Sequence, residues 1–326
     1  MEKFKILEYN TKYRDKLKVY LKRIAHNTGD NYVDYCISQS EGSKPSIIVV
    51  DEYDNIVGCH LFFNTRLMAK NEENNIAWGH DTYLNQGYRK AAGLDFVLTI
   101  ISKNTVGIGL SDIARKILDK LKRDIWMESV HSYFLLNIFF AFGLVKRILK
   151  SNQVPLKLED IIESGKTFRL VKNACDIMIP NGGYWFKNMV DYDLIRDKEF
   201  LNYRFFNNKV FDYSVYEYHN DSGDSCYFVV RPILVRGIPA VSLVDYRFCG
   251  DPNQMVCILS AVKKIAKKNH IGVVQTIGGI KEIDRVFKSL WCYKRSVECL
   301  MHKSLKAKPT DSISVTPADT DFDFNS

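Results

Sequence analysis

No Cys-x-x-Cys pair occurs in this chain, no long block of lysine or arginine, and no apolar run long enough to cross a bilayer. Each absence removes a class of function. The eight cysteines (Cys36, Cys59, Cys175, Cys226, Cys249, Cys257, Cys292 and Cys299) are scattered, which argues against a zinc site or a dithiol redox motif. Reduced, mostly buried thiols in a cytoplasmic protein are the simplest expectation. There is no His-Glu-x-x-His, no aspartate-rich metal loop and no Gly-x-Ser-x-Gly elbow. Metalloenzymes and the commoner hydrolases are therefore set aside, and no metal is expected. Without a basic block, nucleic acid is not expected as a partner. The N-terminus, MEKFKILEYNTKYRDK, lacks the apolar core of a signal peptide. The longest apolar stretch, Tyr133 to Val145, has thirteen residues with one Asn, against the roughly 20 that a spanning helix needs. It reads as a buried strand running into a helix, and membrane contact is not expected.

The 326 residues suffice for one large domain or two ordinary ones, and a hydrophobic share of 46% allows sizeable cores. Lys and Arg exceed Asp and Glu by 46 − 38 = +8. That balance favours anionic partners such as coenzyme A, nucleotides, acidic glycans or membranes.

One stretch organises the rest. From Trp78 to Leu121 the pattern predicts a short apolar strand ending near Tyr83, a turn with Gly87, Arg89 and Lys90, and a helix from about Ala91 to Ser102. A second strand, Val106 to Leu110, leads through Ser111 into another helix. A helix start presents unpaired backbone N–H groups and the positive end of the dipole, so a phosphate or pyrophosphate can sit there. Ala91, Ala92 and Gly93 would let such a ligand approach the backbone. On spacing alone, a solvated turn accounts for Arg89 and Lys90 about as well.

The stretch resembles the acetyl-CoA-binding core of the GNAT acetyltransferase superfamily. In that family a strand is followed by an Arg/Gln-x-x-Gly-x-Gly/Ala loop whose amides hold the CoA pyrophosphate. A second strand then splays from the first. Tyr88-Arg89-Lys90-Ala91-Ala92-Gly93-Leu94 stands at the loop position, and Gly107 to Asp112 with Ala114 and Leu118 is similar to the second strand and its helix. Counting from Arg89 puts Ala92 and Leu94 at the two small-residue positions, with Gly93 between them. Leu118 stands where many members carry a tyrosine acting as general acid. The resemblance implies acetyl-CoA, or another acyl-CoA, as cofactor. It implies that backbone around Tyr83 and Leu84 polarises the thioester. It also implies that Gly87 to Gly93 hold the pyrophosphate, with Arg89 and Lys90 supplying charge. Ser111 would contact the CoA arm, a role compatible with capping its helix.

Acyl transfer to an amine needs a base, a polarised carbonyl and a place for the thiolate. The family often sets a carboxylate or histidine base near the first organising strand, where His80 and Asp81 lie. Strand alternation sends the two to opposite faces, so at most one serves, and Asp81 is preferred. Each also has a plain structural account, Asp81 as a strand-end hydrogen-bonding residue and His80 as a packed or surface side chain. Trp185, Phe186, Tyr192 and Tyr203 either line an acceptor pocket or pack a core.

Upstream come a strand from Lys3 to Tyr9, a helix capped by Thr11, a helix from Asn31 to Ser38, and a hairpin of Ile47 to Val50 with Ile56 to Met68. The texture changes after Lys150, where Ser151 to Pro155 reads as a linker continued by charged residues to Lys166. Beyond it lie strands at Tyr213 to His219, Cys226 to Val235 and Pro239 to Phe248. A helix opened by Pro252, a strand at Ile271 to Thr276, a helix at Gly279 to Leu290 and a last strand from Cys292 follow. This repeats the order of the first half. Asp245 to Pro252 puts acidic residues where the family needs amides, so the second half is expected to have lost CoA. The expected fold class is α+β: two GNAT-like domains in tandem, each a mixed, mostly antiparallel sheet flanked by helices. Residues 1–150 are the acyl-CoA-binding domain, 151–305 the degenerate one and 306–326 a flexible polar tail. The implied function is transfer of an acetyl or other acyl group from CoA to an amine of a small molecule or amino sugar held between the halves. A non-catalytic acyl-CoA or glycan-binding descendant and a Fem-type aminoacyl transferase are the alternatives.

Overall fold

The computed structural model describes residues 3–24, 30–39, 46–103, 105–108, 116–117, 119–120, 124–136, 155–187, 189–235, 238–289 and 292–319. The chain forms two compact units. The first comprises Met1–Leu67, Glu73–Met127 and Glu298–Pro309; the second comprises Met68–Glu72, Glu128–Val297 and Thr310–Ser326.

In the first unit, β1 (Phe4–Glu8) pairs antiparallel with β2 (Ile47–Asp51), and β2 with β3 (Ile56–Ala69). β4 (Glu72–Leu84) neighbours β3 across a two-residue turn. Lys70 and Asn71 there have φ of 48° and 75°, the left-handed pair that such a hairpin needs. β5 (Thr105–Ile108) runs parallel to β4, and β14 (Cys292–His302) pairs antiparallel with β5. A 3-10 turn (Thr11–Tyr13) opens α1 (Arg14–Ile24), and α2 (Asp30–Gln39) follows. The cap is Asn10, not Thr11: Asn10 Oδ1 accepts from the Lys12 N–H at 3.2 Å. α3 (Arg89–Ser102) joins β4 to β5. Tyr88, Ala92, Phe96 and Ile100 recur every four residues and pack on Ile47, Val49, Val57, Phe62 and Ala77. Burying a side chain such as Phe96 contributes about 2 kcal/mol.

The second unit's sheet runs β6 (Asp124–Leu136), β13 (Val273–Gly278), β12 (Ile238–Phe248), β11 (Ser225–Val235), β10 (Ser214–His219), β8 (Lys166–Val171) and β7 (Ile161–Glu163). Only β12 and β13 pair in parallel; the other neighbours are antiparallel. β9 (Tyr192–Leu194) pairs in parallel with β15 (Ile313–Ser314). Asp197 caps the short α4 (Lys198–Leu201) by accepting from the Phe200 N–H at 2.8 Å. α5 (Gln254–Lys268) buries Met255, Ile258, Leu259, Val262 and Ile265 in the core of this sheet, and α6 (Lys281–Ser289) buries Ile283 and Phe287. The architecture is α+β with mixed sheets flanked by helices, as the sequence pattern predicts.

Three features differ from the sequence reading. β14 pairs with β5 and β6 with β13, so each of these strands is flanked by one from the other half of the chain. The units therefore divide near Met127 and exchange a strand, rather than parting once after residue 150. Pairing covers the outer edge of each parallel strand, which would otherwise stay open. The charged stretch read as linker is the β7–β8 hairpin, turning at Ser164 and Gly165 with φ of 51° and 77°. The supposed tail is packed: residues 311–319 are buried. Its polar composition serves ion pairing instead of solvation. Asp319 Oδ1 accepts from Arg196 Nη2 at 2.6 Å, Thr316 Oγ1 donates to Asp245 Oδ1 at 2.6 Å, and Arg204 Nε donates to the Ala318 carbonyl at 3.1 Å. Arg196, wholly buried, also reaches Asp245 at 2.9 Å, and Tyr227 donates to the same carboxylate at 2.7 Å. Burial alone would raise the Asp245 pKa; Arg196 and Arg247 outweigh it and hold the carboxyl below its usual range.

Among the described residues no helix is long and apolar enough to cross a membrane. The apolar stretch from Tyr133 enters β6, and its part beyond Leu136 lies outside the described residues.

Asp319→Ala leaves the buried Arg196 guanidinium short of a partner. Urea unfolding is expected to show a loss of about 3–5 kcal/mol. A loss under about 1 kcal/mol, the range of an exposed pair, would contradict the assigned role of this segment.

Candidate functional site

Among the described residues β4 and β5 pair at Ala77–Thr105, Trp78–Val106 and Gly79–Gly107. Beyond the glycine pair β4 runs on to Leu84, while Ile108 of β5 pairs with Cys299 on its other side. The strands thus fork, and among the described residues no ladder partner covers residues 80–84 of β4 on the β5 side. Neither glycine brings a side chain of its own to the fork. A Cβ on Gly107 would meet nothing nearer than the Gly79 carbonyl at 3.9 Å.

Just past the fork, β4 kinks. Asp81 has φ of 45°, a region that costs a non-glycine residue about 1–2 kcal/mol. The kink breaks strand alternation, so the opposite-face expectation for His80 and Asp81 no longer applies. Asp81 is half-buried, and Tyr83 Oη donates to its Oδ1 at 3.4 Å. For His80 the structure describes the backbone alone. β3 lies close against this segment. A Cβ on Gly58 would stand 2.7 Å from Leu84 Cδ1 and 3.0 Å from the Tyr83 carbonyl. The Asn85 N–H donates to the Val57 carbonyl at 2.9 Å.

The helix start sits earlier than Ala91. A 3-10 turn (Gln86–Tyr88) runs straight into α3. The Tyr88 and Arg89 N–H groups are used within it, bonded to the Asn85 and Gln86 carbonyls. The leading amides are therefore those of Gln86 and Gly87. Asn85 makes no side-chain cap; its Oδ1 accepts from Tyr20 Oη at 3.2 Å. Gln86, Gly87, Arg89 and Lys90 are all exposed. Arg89 Nε donates to the Leu84 carbonyl at 3.2 Å, which holds the guanidinium beside the turn. Two sequence assignments change here. Ala92 is fully buried toward the sheet and faces no ligand, and Tyr88 packs against the same cluster. Ala91 and Gly93 are half-buried, and nothing lies within 4 Å of a Cβ built on Gly93. Ser111 and Leu118 lie outside the described residues.

The second unit has the same frame, closed. β12 and β13 also pair in parallel three times, at Ala240–Val273, Val241–Val274 and Ser242–Gln275. Val244 is skipped where the β11–β12 register slips, two residues past the last parallel pair, as Asp81 is two past Gly79. Here side chains bridge the fork. Thr276 Oγ1 donates to the Leu243 carbonyl at 2.9 Å, and Tyr246 Oη to the Ile277 carbonyl at 3.2 Å, both within the core. The start of α5 is occupied too. Asp251 Oδ1 accepts from the Asn253 N–H at 2.8 Å, and the Gln254 N–H bonds the Asp251 carbonyl at 2.9 Å. Those Asn253 donors hold the Asp251 carboxyl below its usual range. A carboxylate thus already sits at this helix start. Asp245, Tyr246 and Arg247, read from sequence as part of the loop, lie on β12 in the core; the loop is residues 249–253.

The aromatic candidates do not converge on a pocket. Trp185 donates to the Arg196 carbonyl at 3.0 Å and meets Tyr227 edge-on at 5.1 Å; Phe186 meets Phe248 at 5.0 Å. Tyr192 is buried and Tyr203 is 43% exposed. Sequence reasoning missed Gly58 and His60 on β3. The signal available was a glycine and a histidine inside an apolar strand.

No family model matches the chain, and no curated protein matches its sequence. Solved structures do match its fold. A conserved protein of unknown function from Enterococcus faecalis V583, described as a probable N-acyltransferase, gives a TM-score of 0.56 at 9% identity over 93% of this chain and 73% of its own. N-myristoyltransferase of Saccharomyces cerevisiae, solved with myristoyl-CoA, gives 0.58 at 10% over 92% and 82%. A GCN5-related N-acetyltransferase from Anabaena variabilis ATCC 29413 gives 0.56 at 11% over 91% and 72%. At these identities the likeness is one of architecture: the chain has a GNAT-like fold.

Gly58→Ala would drive a Cβ against a backbone carbonyl that cannot rotate away. Denaturant unfolding is expected to show a cost of about 1–3 kcal/mol. A change within about 0.5 kcal/mol would contradict the close β3–β4 approach.

Proposed function

We propose that this chain is an acyl-CoA-dependent N-acyltransferase that holds its cofactor in the first unit alone. One contrast supports the reading. Two forks of the same register exist; among the described residues the first shows no parallel pairing beyond Gly79–Gly107, and its helix start is exposed and has no side-chain cap. In the second, Thr276, Tyr246 and Asp251 occupy both places. The residues of the first fork suit an acyl-CoA. The Gln86 and Gly87 amides, with Arg89 and Lys90, would hold the pyrophosphate. The arm would run along β4 beyond Gly79. The cofactor supplies an acyl group activated as a thioester. Asp81 at the kink takes the proton from an acceptor amine, and the backbone around Tyr83 and Leu84 polarises the carbonyl.

The first unit would then carry cofactor and chemistry, and the second would be a degenerate partner. The acceptor is an amine of a small molecule or an amino sugar, to which a carboxylate base is suited. Free thiols throughout fit a cytoplasmic location. A non-catalytic acyl-CoA-binding protein is the second reading, favoured by Leu118 at the position where a tyrosine acid is usual.

A thermal-shift titration with CoA and acyl-CoAs tests binding. At a hundred-fold excess over Kd, stabilisation of about 2.7 kcal/mol is expected. Arg89→Glu is expected to abolish that shift while leaving the ligand-free midpoint unchanged. An undiminished shift in the variant would contradict the placement of the pyrophosphate. Thiol release with a panel of amines separates the enzyme from the binding protein.

A further inference from the structure

His60 is a buried titratable side chain that the reaction above does not use. It lies on β3 at 5% exposure, with its ring edge-on to Phe62 at 4.6 Å. Its Nδ1 is 2.6 Å from Thr82 Oγ1. Its other end fills the space above Gly79, where a Cβ would stand 2.7 Å from Nε2 and 2.9 Å from Cε1. One ring therefore reaches both sides of the kink, Gly79 before it and Thr82 after it. Its neighbours on β3 touch the same stretch. Cys59 Sγ lies 4.0 Å from the Asp81 carbonyl, and Gly58 admits Leu84.

A non-glycine residue at positive φ relaxes unless its surroundings hold it. We propose that His60 is a positioning residue for this site: through Thr82 it holds β4 in the kinked form that sets Asp81. Its effect on turnover rests on the acyl-transfer reading; the brace itself rests on geometry alone. An ordinary packed histidine would fill space and leave the strand beyond it indifferent to Thr82. Here the bonded partner is an exposed threonine, whose hydroxyl the core does not need.

Thr82→Val removes the hydroxyl and keeps the shape and strand preference, while Thr82→Ser keeps the hydroxyl. The full chain is used, with hydrogen exchange of the Asn85 amide, bonded to Val57 beyond the kink, as reporter. Thr82→Val is expected to speed that exchange about five-fold, the effect of losing one hydrogen bond, with β2 amides unchanged. Thr82→Ser is expected to match the wild type. In acyl-CoA-dependent thiol release, Thr82→Val should lower kcat on the order of ten-fold and raise KM for the acyl-CoA, with Thr82→Ser close to the wild type in both. Unchanged exchange in Thr82→Val, or equal effects of Val and Ser, overturns the brace. Faster exchange with unchanged kcat overturns the positioning role. If the wild type releases no thiol, the transferase reading falls, and the exchange pattern alone decides the brace.

Discussion

Two parallel strands that separate after three residue pairs leave backbone N–H and C=O groups that a ladder would otherwise satisfy. The rest of the structure answers that constraint twice. In the second unit Thr276 and Tyr246 reach across and bond carbonyls on the facing strand, so the fork becomes core. In the first unit Gly79 and Gly107 offer no side chain, and among the described residues no parallel pairing continues past them. The helix starts follow suit, one met by Asp251 and one exposed with two cations beside it. One parallel register is thus closed by side chains in the second unit, and among the described residues it is not in the first.

Strand exchange and the C-terminal segment explain how such forks survive. β5 and β13 are each flanked on their outer side by a strand from the other half of the sequence, which fixes them while their inner partners diverge. The second unit adds a buried network. Arg196 joins β12 to the segment around Asp319, and Arg247 joins the same Asp245 from β12 itself at 3.1 Å. Removing any one charge leaves the others uncompensated, so the network specifies one arrangement of strand and segment.

Much of the architecture was legible because periodicity and turn chemistry are local. The strand–turn–helix from Trp78 to Ser102, the Asp197 cap and the order of strands in the second half all carry such signals. What was missed depends on distant partners. The first turn of the helix escaped because Gly87 reads as a breaker and Asn85 spends its side chain on Tyr20. Asp319 and Thr316 look solvated until Arg196, 120 residues or more away, is placed beside them. Exchange of β6 and β14 leaves no trace in local composition. The His60–Thr82 contact joins residues 22 apart on neighbouring strands, which only register reveals.

The central claim is that one fork binds and the other is closed by its own side chains. Calorimetric titration of the full chain with coenzyme A tests it most directly, because it counts sites. The account predicts one CoA per chain. Two per chain would contradict the closure of the second fork, and none would contradict the opening of the first.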